Sequence, residues 1–191
     1  MTRTKFNEIH QGQEVAFKNA LSESNRSKLL TIANQIITSF VSKKGIAFFG
    51  NGGSAAEAMH LAAEFTGKCV RDHDPWFAIS LGDSQSALTA ITNDFGSEYV
   101  FARPIEAMKS NLGLVVGLST SGKSKNVLEG LKKAKNLGMV TVLMTGNSID
   151  YLELPYVDYM LNVESSLTPR IQEVHLLWGH TLAELVEEIF I

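Results

Sequence analysis

From residue 45 onward, short apolar runs take turns with stretches of helical periodicity, and that alternation leaves few folds open. Gly45 to Phe49 is a compact apolar run that ends in Gly50, and Phe77–Leu81, Leu112–Leu118, Val140–Thr145 and Val157–Val163 have the same character. Runs this short and this uniformly apolar read as strands buried on both faces. Between them the period becomes helical: Ala55 to about Phe65, Ser84–Thr92, Glu98–Lys109 with Pro104 in an early turn or at a kink, Asn126–Leu137 closed by Gly138, and Thr168–Ile191 with Pro169 in its first turn. Strand and helix in strict rotation imply a three-layer α/β sandwich, a five-stranded parallel, doubly wound sheet of flavodoxin-like type with helices on both faces. Ser54 stands where an N-cap would open the first of these helices, and Asn93-Asp94-Phe95-Gly96 reads as a turn.

Ahead of the sheet, residues 5–43 are helical in pattern. Phe6, Ile9, Val15, Phe17 and Leu21 form one stripe, and Leu29, Leu30, Ile32, Ile36, Ile37, Phe40 and Val41 a stronger one. The polar stretch Ser22–Ser27 divides them into a helical hairpin. The expected organisation is one domain over 1–191, with 1–44 used for packing or oligomerisation and 45–191 as the α/β core.

The 191 residues are 45% hydrophobic and 19% charged with a net charge of −3, enough for a large core and against disorder. No block of like charge makes a footprint for nucleic acid. A lone cysteine, Cys69, excludes an intrachain disulfide and a cysteine-based zinc site. The amino-terminal residues lack the apolar core of a signal peptide, and no apolar run approaches the ~18 residues of a membrane span. A cytoplasmic protein without membrane or nucleic-acid partners is expected.

Parallel sheets bind ligands beyond the carboxyl ends of their strands, and two loops at that edge are unusual. Gly50-Asn51-Gly52-Gly53-Ser54 lets a ligand approach the backbone, and Gly52 and Gly53 can take positive φ. A helix start here favours an anion, although a tight strand–helix turn accounts for the same residues. Ser119-Thr120-Ser121-Gly122-Lys123-Ser124 places four hydroxyls between a strand and a helix. An N-cap explains one of them; phosphate binding explains the cluster. Neither loop has the spacing of a dinucleotide or triphosphate motif.

Two helices carry chemistry-bearing side chains. His60 and Glu64 are spaced i,i+4 on an alanine-rich helix, a spacing that suits two ligands of one metal, or simply an exposed helix-supporting pair. Gln172 and His180 lie on one broad face of the last helix, offset by roughly 80°. His175 occupies a neighbouring face, where a solvated or interface role is the default.

Together, residues 50–64 (Gly-Asn-Gly-Gly-Ser-Ala-Ala-Glu-Ala-Met-His-Leu-Ala-Ala-Glu), 92–96 (Thr-Asn-Asp-Phe-Gly), 118–127 (Leu-Ser-Thr-Ser-Gly-Lys-Ser-Lys-Asn-Val) and 170–175 (Arg-Ile-Gln-Glu-Val-His) resemble phosphoheptose isomerases of the sugar isomerase (SIS) domain superfamily, in order and over nearly the whole chain. The resemblance implies conversion of D-sedoheptulose 7-phosphate to D-glycero-D-manno-heptose 7-phosphate, the first step toward heptose for lipopolysaccharide, capsule or glycan. It implies a homotetramer with active sites between subunits. Glu64 and His180 would be the acid–base pair, and His60, Glu64, Gln172 and His180 a zinc site, one ion per subunit. Asn51, Gly52, Gly53, Glu64, Asn93, Asp94, Ser119, Thr120, Ser121, Ser124 and Gln172 would hold substrate. Lys68 stands where many members carry Arg, Pro169 where Ala or Asp is familiar, and 146–151 lacks the usual glycine-rich run. A non-enzymatic SIS relative that binds the bacterial replication initiator, or a sugar-phosphate sensor, is the competing reading; retention of His60, Glu64 and His180 argues against the former.

Overall fold

The computed structural model describes residues 2–146 and 154–190. The elements run α1 (Arg3–Ala20), α2 (Glu23–Val41), β1 (Gly45–Gly50), α3 (Gly53–Thr66), β2 (Ala78–Ser80), α4 (Gln85–Phe95), a 3-10 turn at Ser97–Tyr99, α5 (Ala102–Ala107), β3 (Leu112–Ser119), α6 (Lys125–Asn136), β4 (Val140–Thr145), β5 (Tyr159–Asn162) and α7 (Thr168–Phe190). The five strands form one sheet in the order β2-β1-β3-β4-β5, and every pairing is parallel. The α/β sandwich expected from the alternation is the one found. After β1 the chain builds β2 outward on one side, then crosses to place β3 on the other. The switch point of the sheet therefore lies between β1 and β3, where both glycine- and serine-rich loops emerge.

Alternation along each strand sends neighbours to opposite faces, so two cores form. Phe48, Leu114, Val116 and Met144 face the core shared with α2, α3 and α7. Phe49, Val115 and Leu143 face the core beneath α5 and α6. At the centre of the first core is Trp178 of α7, wholly buried, whose indole N–H donates to the Ala20 carbonyl at 3.1 Å. That bond ties the end of α1 to α7. Gly179 follows because any side chain there would collide with Leu61 of α3. Small residues thus bring α3 and α7 into close contact over much of their length. Among the described residues, no helix is long and apolar enough to cross a membrane.

Several boundaries differ from the pattern-based reading. Ser54 is not the cap of α3: Gly52 holds that position at φ 56°, and Ser54 is buried inside the first turn. Only Gly52 needs positive φ; Gly53 is already helical. The turn expected at 93–96 is helix through Phe95, so Asn93 and Asp94 are helical, and the chain leaves α4 at Gly96 with φ 103°. The helix expected over Glu98–Lys109 is broken into the 3-10 turn and α5. Pro104 has no N–H to donate, so a helix containing it can begin only within the preceding turn. β5 is shorter than Val157–Val163 because the chain first turns at Asp158, whose N–H donates to the Thr141 hydroxyl at 3.0 Å and whose carboxylate accepts from the Thr141 N–H. The sequence departure at 146–151 lies, from residue 147 on, outside the described residues.

Candidate active site

The loops after β1 and β3 meet across the switch point. Asn51 Nδ2 donates to Asn126 Oδ1 at 2.9 Å, and Asn126 Nδ2 donates to Asn51 Oδ1 at 2.8 Å. This closed ring of two amides joins the residue before the α3 cap to the second residue of α6. Within the β3 loop, the Ser119 hydroxyl donates to Ser124 Oγ at 2.9 Å, and the Lys123 N–H donates to Ser121 Oγ at 3.2 Å. Ser119 is buried and Ser121 exposed. Ser124 stands at the N-cap of α6 but makes no side-chain cap bond, so the helix start keeps free N–H groups at the loop that carries Thr120 and Ser121.

Along α3 and α7 the structure brings three of the predicted ligands together. His60 Nε2 lies 2.7 Å from His180 Nε2 and 3.3 Å from Glu64 Oε1. One ligand atom from each residue falls within a 4.8 Å cluster. The i,i+4 spacing stacks His60 over Glu64, and parallel packing of α3 on α7 delivers His180 from 120 residues away. Two imidazoles and a carboxylate are a donor set of the open, catalytic type of metal site. Gln172 lies about two turns before His180 on α7, against the start of α3. Its amide fills the space a Gly53 side chain would need, and Nε2 donates to Ser54 Oγ at 3.5 Å. Asn93 and Asp94 are exposed on α4, Asn93 Nδ2 donating to Asp94 Oδ1 at 2.7 Å, and α4 packs chiefly against the 3-10 turn.

Three groups near the cluster were not picked out by sequence reasoning. Cys69, partly buried, has its thiol pushed up to about 12 by burial, then by hydrogen bonding to Glu64 and by the charges of Glu64, Glu187 and Glu184. It stays a neutral thiol and offers no thiolate. Glu187 is buried at the far end of α7. Burial works against its charge, but the N–H groups of Arg71, Cys69 and Val70, and His73, hold its pKa below the ordinary value. Those N–H bonds, from Cys69 at 2.8 Å and from Val70 and Arg71 at 3.0 Å, pin the segment after α3 to α7. Glu57, buried one turn before His60, has its pKa raised to about 7 by burial, offset in part by the Ser54 hydroxyl. A buried carboxylate flanked by alanines leaves no signature in a single sequence.

His175 corrects an expectation. It is not solvated: it is wholly enclosed, packed on Trp178, and burial drives its pKa down to about 4, with the Thr145 backbone pulling weakly the other way. Glu57 and His175 act in opposite senses on stability. Between pH 6.5 and about 4 the unfolded chain takes up a proton that folded His175 refuses, so acid costs stability. Between about 7 and 4.5 folded Glu57 binds a proton the unfolded chain does not, so acid adds stability. Lowering the pH from 7 to 5 therefore raises the melting temperature of His175→Met and lowers that of Glu57→Gln, with wild type between them. Parallel pH profiles for the two variants in scanning calorimetry would contradict these assignments.

The SIS domain model matches residues 13–146. A phosphoheptose isomerase from Helicobacter pylori is 42% identical over 186 residues, covering 96% of this chain and 96% of its own. The chain belongs to the phosphoheptose isomerases of the SIS domain family. Solved structures agree. A phosphoheptose isomerase from Francisella tularensis superposes with a TM-score of 0.89 at 26% identity, covering 98% of this chain and all of that one. One from Neisseria gonorrhoeae reaches 0.81 at 33% identity, covering 97% and 96%. In the family's terms, β1–β5 form the SIS sheet, and the His60–Glu64–His180 cluster and the β1 and β3 loops all belong to segments shared along nearly the full length of the Helicobacter relative.

Proposed function

We propose that this protein converts D-sedoheptulose 7-phosphate to D-glycero-D-manno-heptose 7-phosphate by acid–base isomerisation. The observation that carries this reading is the convergence of Glu64 and His180, with His60, from two helices onto one site. A replication-initiator binder or passive sugar-phosphate sensor has no use for such a cluster. In the forward direction Glu64 takes the proton from C1 of the ketose. His180 gives a proton to the C2 carbonyl oxygen, producing an enediol. Return of a proton to C2 and loss of the C1 hydroxyl proton complete the aldose, with no net gain or loss of electrons.

His60, Glu64 and His180, with Gln172 at the same helix pair, would hold a zinc ion, one per subunit. Such an ion supplies polarisation of the carbonyl and hydroxyl oxygens. The β3 loop, through Ser119, Thr120, Ser121 and Ser124, holds the phosphate, and Asn51, Gly52 and Gly53 border the sugar. Asn93 and Asp94 complete the site from a neighbouring subunit of a homotetramer. Support for that assembly comes from α4, which buries none of its residues in the protomer, and from Phe6, Val15, Leu88 and Phe95, apolar and exposed. We also read 1–191 as one domain, with 1–44 serving the subunit contacts. A single free cysteine and a phosphorylated substrate fit a cytoplasmic enzyme.

Purified protein mixed with sedoheptulose 7-phosphate should form the aldose at enzymatic rates. Chelation should slow turnover and added zinc restore it. No turnover, with or without zinc, would favour a binding protein. Sedimentation as a fully active monomer would remove the subunit-interface reading.

A further inference from the structure

The amide ring between Asn51 and Asn126 has no counterpart among the roles so far assigned, and it occupies an informative place. It spans the crevice between β1 and β3, the switch point where the ligand loops of a doubly wound sheet diverge. It also links the starts of two helices that lie on opposite faces of the sheet, since α3 packs in one core and α6 in the other. Among the described residues, no other side-chain hydrogen bond joins these two loops. Both amides are in use. Each gives one N–H and one oxygen lone pair to the other, and Asn126 Oδ1 accepts also from the Val127 N–H at 3.0 Å.

We propose that Asn126 is a positioning residue that sets the width of the phosphate-to-sugar gap by clasping Asn51, and that Asn51 acts first as the other half of this clasp. Two arguments from shape and chemistry support it. A cyclic pair of amide bonds fixes orientation as well as distance, which a single bond does not. And the residues to be kept in register are backbone groups: the helix starts at Gly53 and Lys125, and the loop carrying Thr120 and Ser121. Backbone donors cannot adjust by rotamer change, so their spacing must be held from outside the ligand. A ligand with one phosphate end and one polyol end is selected by that spacing. Aspartate in either position could accept but not donate, and would break the ring on one side. Lysine or serine could not form it at all.

The inference rests on the proposed sugar-phosphate reading for its kinetic arm only. Asn126→Ala should raise KM for sedoheptulose 7-phosphate about five- to tenfold, the scale of two partly exposed neutral hydrogen bonds, while kcat stays within about twofold. Asn51→Ala should raise KM at least as much. The double variant should be no worse than Asn51→Ala, because Asn126 then has nothing left to hold. Inorganic phosphate titrated calorimetrically into the same four proteins should show the same non-additive pattern. A KM effect in the double variant equal to the product of the singles would overturn the clasp, as would an unchanged KM in Asn126→Ala. A melting temperature lowered in Asn126→Ala with KM unchanged would assign the pair to fold stability and also overturn it. Wild type that binds phosphate with the non-additive pattern, but turns over no sugar, would sink the isomerase reading and leave the clasp intact.

Discussion

Glu64→Gln lowers kcat by about 10²- to 10⁴-fold, the usual worth of a positioned general base, while substrate binding remains measurable. The substitution is close to isosteric and keeps a hydrogen-bonding group beside His60, which sits 3.3 Å from the carboxylate. What it removes is the ability to take a proton from carbon. His180→Gln should fall in the same range, since its Nε2 lies 2.7 Å from His60 Nε2 and faces the same space. The two losses should not multiply: once the proton relay is broken, removing its second member costs little more. Because Glu64 is also a candidate metal ligand, kinetics should be paired with zinc content by atomic absorption. A base that is also a ligand loses rate even when saturating zinc restores occupancy; a ligand alone recovers with the metal. Full activity in either variant would eliminate the mechanism.

Trp178→Ala should destabilise the protein by about 3–5 kcal/mol, with a further ~1 kcal/mol from the lost indole bond to Ala20. Trp178 is wholly buried, and it touches the core where α1, α2, α3 and α7 converge. For a chain of this length, a loss of that size lowers the melting temperature by roughly 10 °C or more. The site should suffer as well, because Gly179 and His180 follow directly on Trp178 and depend on the same helix-to-helix seating. A cost under about 1 kcal/mol in urea unfolding would mean that α7 is not the spine of this core.

The sheet could be read in advance because its strands are apolar on both faces, and burial of both faces leaves a parallel sheet as the natural home for Phe48-Phe49 or Val115-Val116. The α3 pair was equally legible: i,i+4 spacing is a property of any helix, so His60 and Glu64 had to share a face. The failures also have physical causes. Ser54 looked like a cap because Ser is a favoured cap residue, yet Gly52 could take the positive φ the turn required, which no serine does cheaply. His175 looked solvated because histidine usually is. It is buried because its place on α7 faces the end of β4, a fact of helix rotation rather than of composition.

The residues alone decided that this chain would be a parallel α/β sandwich with two glycine- and serine-rich loops at one edge, since apolar periodicity and turn chemistry act over a few residues at a time. The four motifs taken together also placed it among the phosphoheptose isomerases. Tertiary structure alone decided which distant groups meet. His180 reaches His60 and Asn126 reaches Asn51 only because the strand order puts β3 beside β1 and small residues let α7 press against α3. Contacts between residues 75 or 120 positions apart have no periodicity to betray them; they arise from the packing of whole elements, which no local pattern encodes.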